Sequence, residues 1–130
     1  MAEHPNATLI RRGYAAFSTG DVDTLTELLS ADAVQHMPGH NTFSGDHKGR
    51  DAILAMYGEL ASRSDGTLQV ILEEVYANDD EVVTVYHSTG TRGDKHLDTR
   101  HALVFRMRDG KAVDLLDVSQ DESADDAFWA

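Results

Sequence analysis

A chain of 130 residues with a formal charge of −12 and no cysteine is sized for one domain around a single core. The missing cysteines exclude disulfides, thiolate chemistry and the usual structural zinc sites. So acidic a balance opposes phosphate backbones, and no stretch approaches the roughly 20 apolar residues of a membrane helix. Neither nucleic acid nor membrane is therefore an expected partner.

The first residues, Met1 to Pro5, show neither a basic region nor an apolar run, so no signal peptide is expected and the expected location is cytoplasmic. Pro5 to Thr19 reads as a helix. Proline suits its first turn, Gly20 its stop, and Leu9, Ile10, Gly13, Tyr14 and Phe17 form one stripe at helical spacing. Asp21 caps a second helix, with Val22, Leu25, Leu28 and Leu29 expected inward, and the two helices should pack as a hairpin. Ala33 to Met37 reads as a short strand stopped by Pro38-Gly39. His40 to Gly49 reads as a polar loop with too little apolar content for the core, one that covers something or moves. Arg50 to Ser64 is a third helix with the stripe Ile53, Met56, Tyr57 and Leu60.

From Thr67 the period changes to strands. Thr67–Ala77 and Glu81–Gly93 are joined by the turn formers Asn78-Asp79-Asp80, and Arg92 to Lys95 leads into a longer hairpin over 96–121. Glu122 to Ala130 closes with one or two helical turns, capped by Asp121, that return Phe128-Trp129 to the body. The neighbouring Asp114, Asp117, Asp121, Glu122, Asp125 and Asp126 read as a solvated acidic face. Helices first and strands afterwards argue α+β, with the helices on one face of an antiparallel sheet.

The long hairpin carries the most suggestive chemistry. Arg108-Asp109-Gly110 reads as a three-residue loop with Gly110 left-handed, which pairs Met107 with Lys111. Counting back, Leu103 faces Leu115 and His101 faces Asp117. Directly opposed side chains hold their Cβ atoms roughly 4.5–5.5 Å apart.

The order helix, Gly-Asp turn, helix, Ala-Asp-Ala-Val strand, polar loop ending in Gly-Arg, helix and four strands resembles the nuclear transport factor 2-like superfamily. That group includes ketosteroid isomerase and the SnoaL-like polyketide cyclases. The matching stretches are Tyr14 to Asp23, Ala31 to Val34, His47 to Ile53 and Val104 to Lys111, and together they span nearly the whole chain. The resemblance implies a cystatin-like α+β cone: three N-terminal helices against a strongly curved, mixed but mainly antiparallel sheet, with a short C-terminal helix. It also implies a homodimer formed through the sheet. Within the group the chain looks most like SnoaL-like proteins of uncertain activity that end in an acid, a short acidic helix and Phe-Trp, here Asp121 to Trp129. Relatives of that kind often carry tryptophan where this chain has Gln35 and Leu116, which should alter pocket shape more than fold.

The resemblance does not settle the reaction. Aligned on Gly20-Asp21, the ketosteroid isomerase pattern places Gly13 at its tyrosine, Met37 at its basic aspartate and Leu103 at its protonated aspartate, so all three roles are vacant. The Asp-Arg-Asp network of limonene epoxide hydrolase finds Asp98, Arg100 and Asp117, but parity puts the first two on the face opposite the third.

His101 and Asp117 then stand as the candidate catalytic pair. Histidine suits proton transfer near neutral pH, and a carboxylate can hold its tautomer or stabilise its cation. Alternatively Asp117 is the base, its pKa raised by apolar walls. The plainer reading is a satisfied cross-strand hydrogen bond at the mouth of the cone or in a dimer face. Candidate ligand-binding residues are Tyr14, Phe17, His36, Met37, Tyr57, Leu103 and Leu115, with Tyr14 or Tyr57 donating a phenolic hydrogen bond to a ligand carbonyl. His36 shares parity with Val34, so it lines the pocket only past a kink at Met37-Pro38 and is otherwise packed outside. No metal is expected at His36, His40 and His47, because Pro38-Gly39 precludes the helix that would align the first two. The expectation is a cofactor-independent SnoaL-like enzyme moving a proton on a small apolar carbonyl or cyclic compound. The alternative is a non-catalytic ligand-binding or dimeric domain of the same fold.

Overall fold

The computed structural model describes residues 3–130. Among these the elements run α1 (Pro5–Thr19), α2 (Val22–Leu28), β1 (Leu29–Met37), β2 (Gly45–Lys48), α3 (Arg50–Arg63), β3 (Gln69–Ala77), β4 (Glu81–Arg92), β5 (Lys95–Arg108), β6 (Lys111–Ser119) and α4 (Glu122–Trp129). The class is α+β, as the order of patterns predicts. Pro5 opens α1 at a position where no amide donor is needed, and Gly20, at φ 72°, turns its own N–H back to Ala16 and Phe17. Asp21 accepts the Thr24 N–H and starts α2 at once. The helix hairpin closes tightly because Gly13 has no side chain: a Cβ there would stand 2.6 Å from Leu28 Cδ2.

The six strands form one sheet in the order β2-β1-β6-β5-β4-β3, with β1 parallel to β6 and the remaining neighbours antiparallel. Extra residues bend it. Glu73 is unpaired between Leu72 and Glu74 on β3, Val113 between Ala112 and Asp114 on β6, and β1 shifts register between Leu29 and Val34. The concave face holds the main core of Ile10, Leu28, Leu29, Ile53, Val82, Phe105 and Leu115. A second cluster, Phe43, Met56, Leu97, Phe128 and Trp129, forms where α4 folds back.

Four expectations need correction. Leu29 opens β1 instead of ending α2, although it stays buried, and Val22 is 55% exposed. The stretch 40–49 is more than a polar loop. It contributes β2, an antiparallel edge to β1, and buries Phe43. The hairpin loop has two residues, with Asp109 and Gly110 both at positive φ, so Arg108 pairs with Lys111 and Met107 with Ala112. The bulge at Val113 then adds one more step. His101 therefore faces Ser119, Leu103 faces Asp117, and Phe105 faces Leu115.

The two shifts total two residues, so parity survives: His101, Leu115 and Asp117 still share the concave face, with His101 and Asp117 as diagonal neighbours. Deleting Val113 should turn Leu115 and Asp117 outward. Denaturant titration is expected to show a loss of at least the roughly 2–5 kcal/mol of an emptied leucine site. A deletion variant as stable as the parent would show that the bulge does not set this face.

Candidate active site

Helices and concave face enclose a cavity of about 120 Å³. An apolar cavity of about 150 Å³ takes up benzene, so this one suits a molecule of roughly one ring. Its walls are largely apolar and aromatic, with Tyr14, Phe17, Tyr57, Phe105, Leu115 and Trp129 among them.

A polar cluster interrupts these walls. His101 Nδ1 donates to Asp117 Oδ1 at 2.5 Å, and Tyr86 OH donates to Asp117 Oδ2 at 2.5 Å. Nε2 of the same histidine faces Asp125 of α4, 3.3 Å from its carboxylate oxygens. Ser119 Oγ donates to Asp125 Oδ2. Tyr86 lies opposite His101 across β4 and β5 and stacks on it, with ring centroids 5.1 Å apart and 16° between planes. The side chains of His101, Asp117 and Asp125 are 9%, 1% and 8% exposed, so these charges are matched by one another and hardly by water.

With a carboxylate at each ring nitrogen, the imidazole is held as a double donor. Burial pushes the His101 pKa down, but the hydrogen bonds to Asp117 and Asp125 outweigh it and carry it up to about 9. His101 is thus an imidazolium at neutral pH, a donor and acid rather than a base. Burial, and after it the charge of Asp117, raises the phenols of Tyr14, Tyr57 and Tyr86, so all three keep their protons.

The predicted site residues divide as follows. His101 and Asp117 line the cavity in contact, and Tyr14, Phe17, Met37, Tyr57 and Leu115 line it with them. Leu103 does not. It is core, paired across the strands with Thr84, whose Oγ1 holds the Tyr14 hydroxyl at 2.7 Å. His36 does not either. No kink turns it inward, and it sits on the convex face between Asp46 (2.6 Å) and Asp114 (2.8 Å), while Gln35 faces the cavity. Nor do the phenols of Tyr14 and Tyr57 aim their protons at a ligand: Tyr57 OH donates to Gln35 Oε1 at 2.5 Å, and Tyr14 OH donates to Thr84 Oγ1, whose own proton goes to the Leu103 carbonyl. Asp98 and Arg100 lie outward, paired with His87 and Glu73.

Sequence reasoning missed Tyr86, Asp125 and Gln35 as site residues. Tyr86 was recoverable by counting back from the Arg92–Lys95 turn, which sets it opposite His101. Asp125 shares its helix face with Phe128 and Trp129 at i+3 and i+4, a stripe that marks it as inward.

Fold and cavity together define a class: small α+β proteins whose bent sheet and helices enclose a ligand-sized apolar cone. The model of the SnoaL-like domain matches residues 10–115, and the chain belongs to that family. An uncharacterised protein of Mycobacterium tuberculosis is 35% identical over the full length of both chains. Among solved structures, Bal32a from a soil-derived mobile gene cassette superposes with a TM-score of 0.94 at 41% identity, covering 97% of each chain. A protein of unknown function with a cystatin-like fold from Xanthomonas campestris gives 0.89 at 29% identity, covering 96% of this chain and 98% of that one.

The raised pKa of His101 makes stability fall with pH. The folded chain holds the proton more tightly than the ordinary 6.5, so the contribution is complete below pH 6.5 and lost as pH climbs through about 9. It amounts to about 3 kcal/mol. The melting temperature should drop across that window, and His101→Gln should remove most of the drop. Equal slopes in the two proteins would show that the carboxylates do not hold the proton.

Proposed function

We propose that this SnoaL-like protein is a cofactor-independent cytoplasmic enzyme that moves a proton on a small apolar carbonyl or cyclic compound, in an isomerisation, cyclisation or dehydration. The observation that carries this reading is His101 clamped between Asp117 and Asp125 in the wall of an otherwise apolar cavity. Such a group is costly to bury, and apolar residues of similar volume would serve a purely structural wall at least as well.

Asp117 and Tyr86 fix the ring through Nδ1 and the stack, leaving Nε2–H as the proton that can turn to a ligand. A carbonyl oxygen beside Nε2 receives that proton as the Asp125 carboxylate removes one from the adjacent carbon, which gives the enol. Return of the Asp125 proton to a different atom, and of the enol proton to His101, completes the transfer with both groups restored. An acid of pKa about 9 is charged at neutral pH and ready to donate.

A second reading, a binding module without chemistry, is favoured by Gly13, Met37 and Leu103 at the isomerase positions and by the internal commitment of the Tyr14 and Tyr57 protons. In either case we propose a homodimer through the convex face, where Ile71, Tyr76, Leu116 and Val118 stand exposed.

Two measurements test these proposals. Solvent exchange of the α-protons of cyclohexanone and acetophenone, followed by NMR in D2O, should be accelerated about 10²-fold and return to background in His101→Gln. Ketones that bind with no acceleration would leave the binding module standing. Sedimentation should give a dimer that Leu116→Glu with Val118→Glu converts to monomer; a wild-type monomer at all concentrations would remove the dimer.

A further inference from the structure

Resting on that reading, in which a carbonyl compound and its enol interconvert in the cavity, we infer that the form the cavity holds best is the hydroxyl form, a neutral one-ring enol or phenol, and not a carboxylate. The first support is charge. His101, Asp117 and Asp125 line the cavity, and among the described residues no lysine or arginine does. Two carboxylates stand there against a single imidazole, so acidic side chains outnumber basic ones in the wall. An anionic ligand meets both carboxylates, and the one cation beside them, His101, is already engaged by the two.

The second support is the direction of the hydrogen bonds. Tyr57 gives its proton to Gln35, Tyr86 to Asp117 and Tyr14 to Thr84, whose own proton is given to the Leu103 carbonyl. These phenols face the cavity as rings and lone pairs, and the two carboxylates are acceptors as well. A ligand proton finds acceptors here, while the Gln35 amide and the Ser88 hydroxyl add donors to the same wall. The loosest link in the cluster is the 3.3 Å separation between His101 Nε2 and Asp125, next to the 2.5 Å contact on the other ring nitrogen. A hydroxyl oxygen placed there accepts from Nε2–H and donates to Asp125. A ketone can make only the first of these bonds, a hydrocarbon neither, and a carboxylate adds repulsion. Size and the rings of Phe17, Phe43, Tyr57 and Trp129 favour a single planar ring.

Phenol, toluene and benzoate are nearly isosteric probes of these terms. The emission of Trp129, the one tryptophan in the chain and a cavity residue, reports occupancy. At pH 7 phenol should bind at least about tenfold more tightly than either toluene or benzoate. Asp125→Asn should narrow the gap to benzoate by at least about tenfold, and Asp117→Asn serves as the second charge-removing variant if the first fails to fold. Benzoate or toluene binding as tightly as phenol, or phenol failing to bind, overturns the inference. Failure here is separable from failure of the catalytic reading. Phenol preferred with no α-proton exchange removes only the chemistry, whereas exchange with benzoate preferred removes only the ligand class.

Discussion

A charge taken out of water must be matched where it stands, and at His101 that requirement binds four elements together. The imidazolium comes from β5, one carboxylate from β6, the other from α4, and the phenol that completes Asp117 from β4. Removing a single partner leaves an uncompensated buried charge, a loss of roughly 3–5 kcal/mol, so the sheet and the C-terminal helix are stable only in mutual register. The same helix is fastened on other sides. Asp126 accepts from the His40 N–H and the Asn41 amide, and Arg92 donates to the Phe128 and Ala130 carbonyls while standing 6.0 Å from the Trp129 ring. The helix that closes the cavity is thus held by the chemistry inside it.

The cavity exists because the sheet cannot lie flat. Unpaired Glu73 and Val113, and the shift within β1, each bend a strand, and the bends leave the concave side too deep for the core residues to fill. Val113 does a second thing. Ala112 and Leu115 are three residues apart and both fully buried, which strict alternation forbids; the extra residue is what lets both face inward and carries Asp117 with them.

Most of the architecture was legible, and the exceptions have local causes. The stripes of α1 and α3, the Gly20-Asp21 junction and the Asp121 cap are written in short-range chemistry and appear as expected. β2 was not legible, because Gly45 to Lys48 has no apolar alternation: it is an exposed edge paired on one side only, and its burial pattern shows nothing facing a core. The hairpin register was misjudged by two residues, since a two-residue loop and a β-bulge leave no compositional mark at Val113. The pairing of His101 with Asp117 still followed from parity, which both errors together preserve. Asp125 could not be separated from the acidic tail by composition, because Asp114, Asp121, Glu122 and Asp126 do stand partly or fully in solvent, and only Asp117 is buried with it. Only its spacing to Phe128 and Trp129 distinguishes it.

The same chemistry occurs twice in this molecule, and the comparison isolates what a site requires. His36 also stands between two aspartates, Asp46 and Asp114, at contacts of 2.6 and 2.8 Å, and these hydrogen bonds likewise raise its pKa. The residue types match those at His101, and here both contacts are short. Yet the side chains of His36, Asp46 and Asp114 are 34%, 49% and 38% exposed, so water screens each charge and the cluster ties β2 and β6 to β1 with little leverage on anything else. One residue of alternation along β1 puts His36 on the convex face and Gln35 in the cavity. A His between two Asp is therefore not the signal. Its placement on the concave side of a bent sheet, where apolar walls exclude the solvent that would satisfy it, is what makes the His101 cluster available to a ligand.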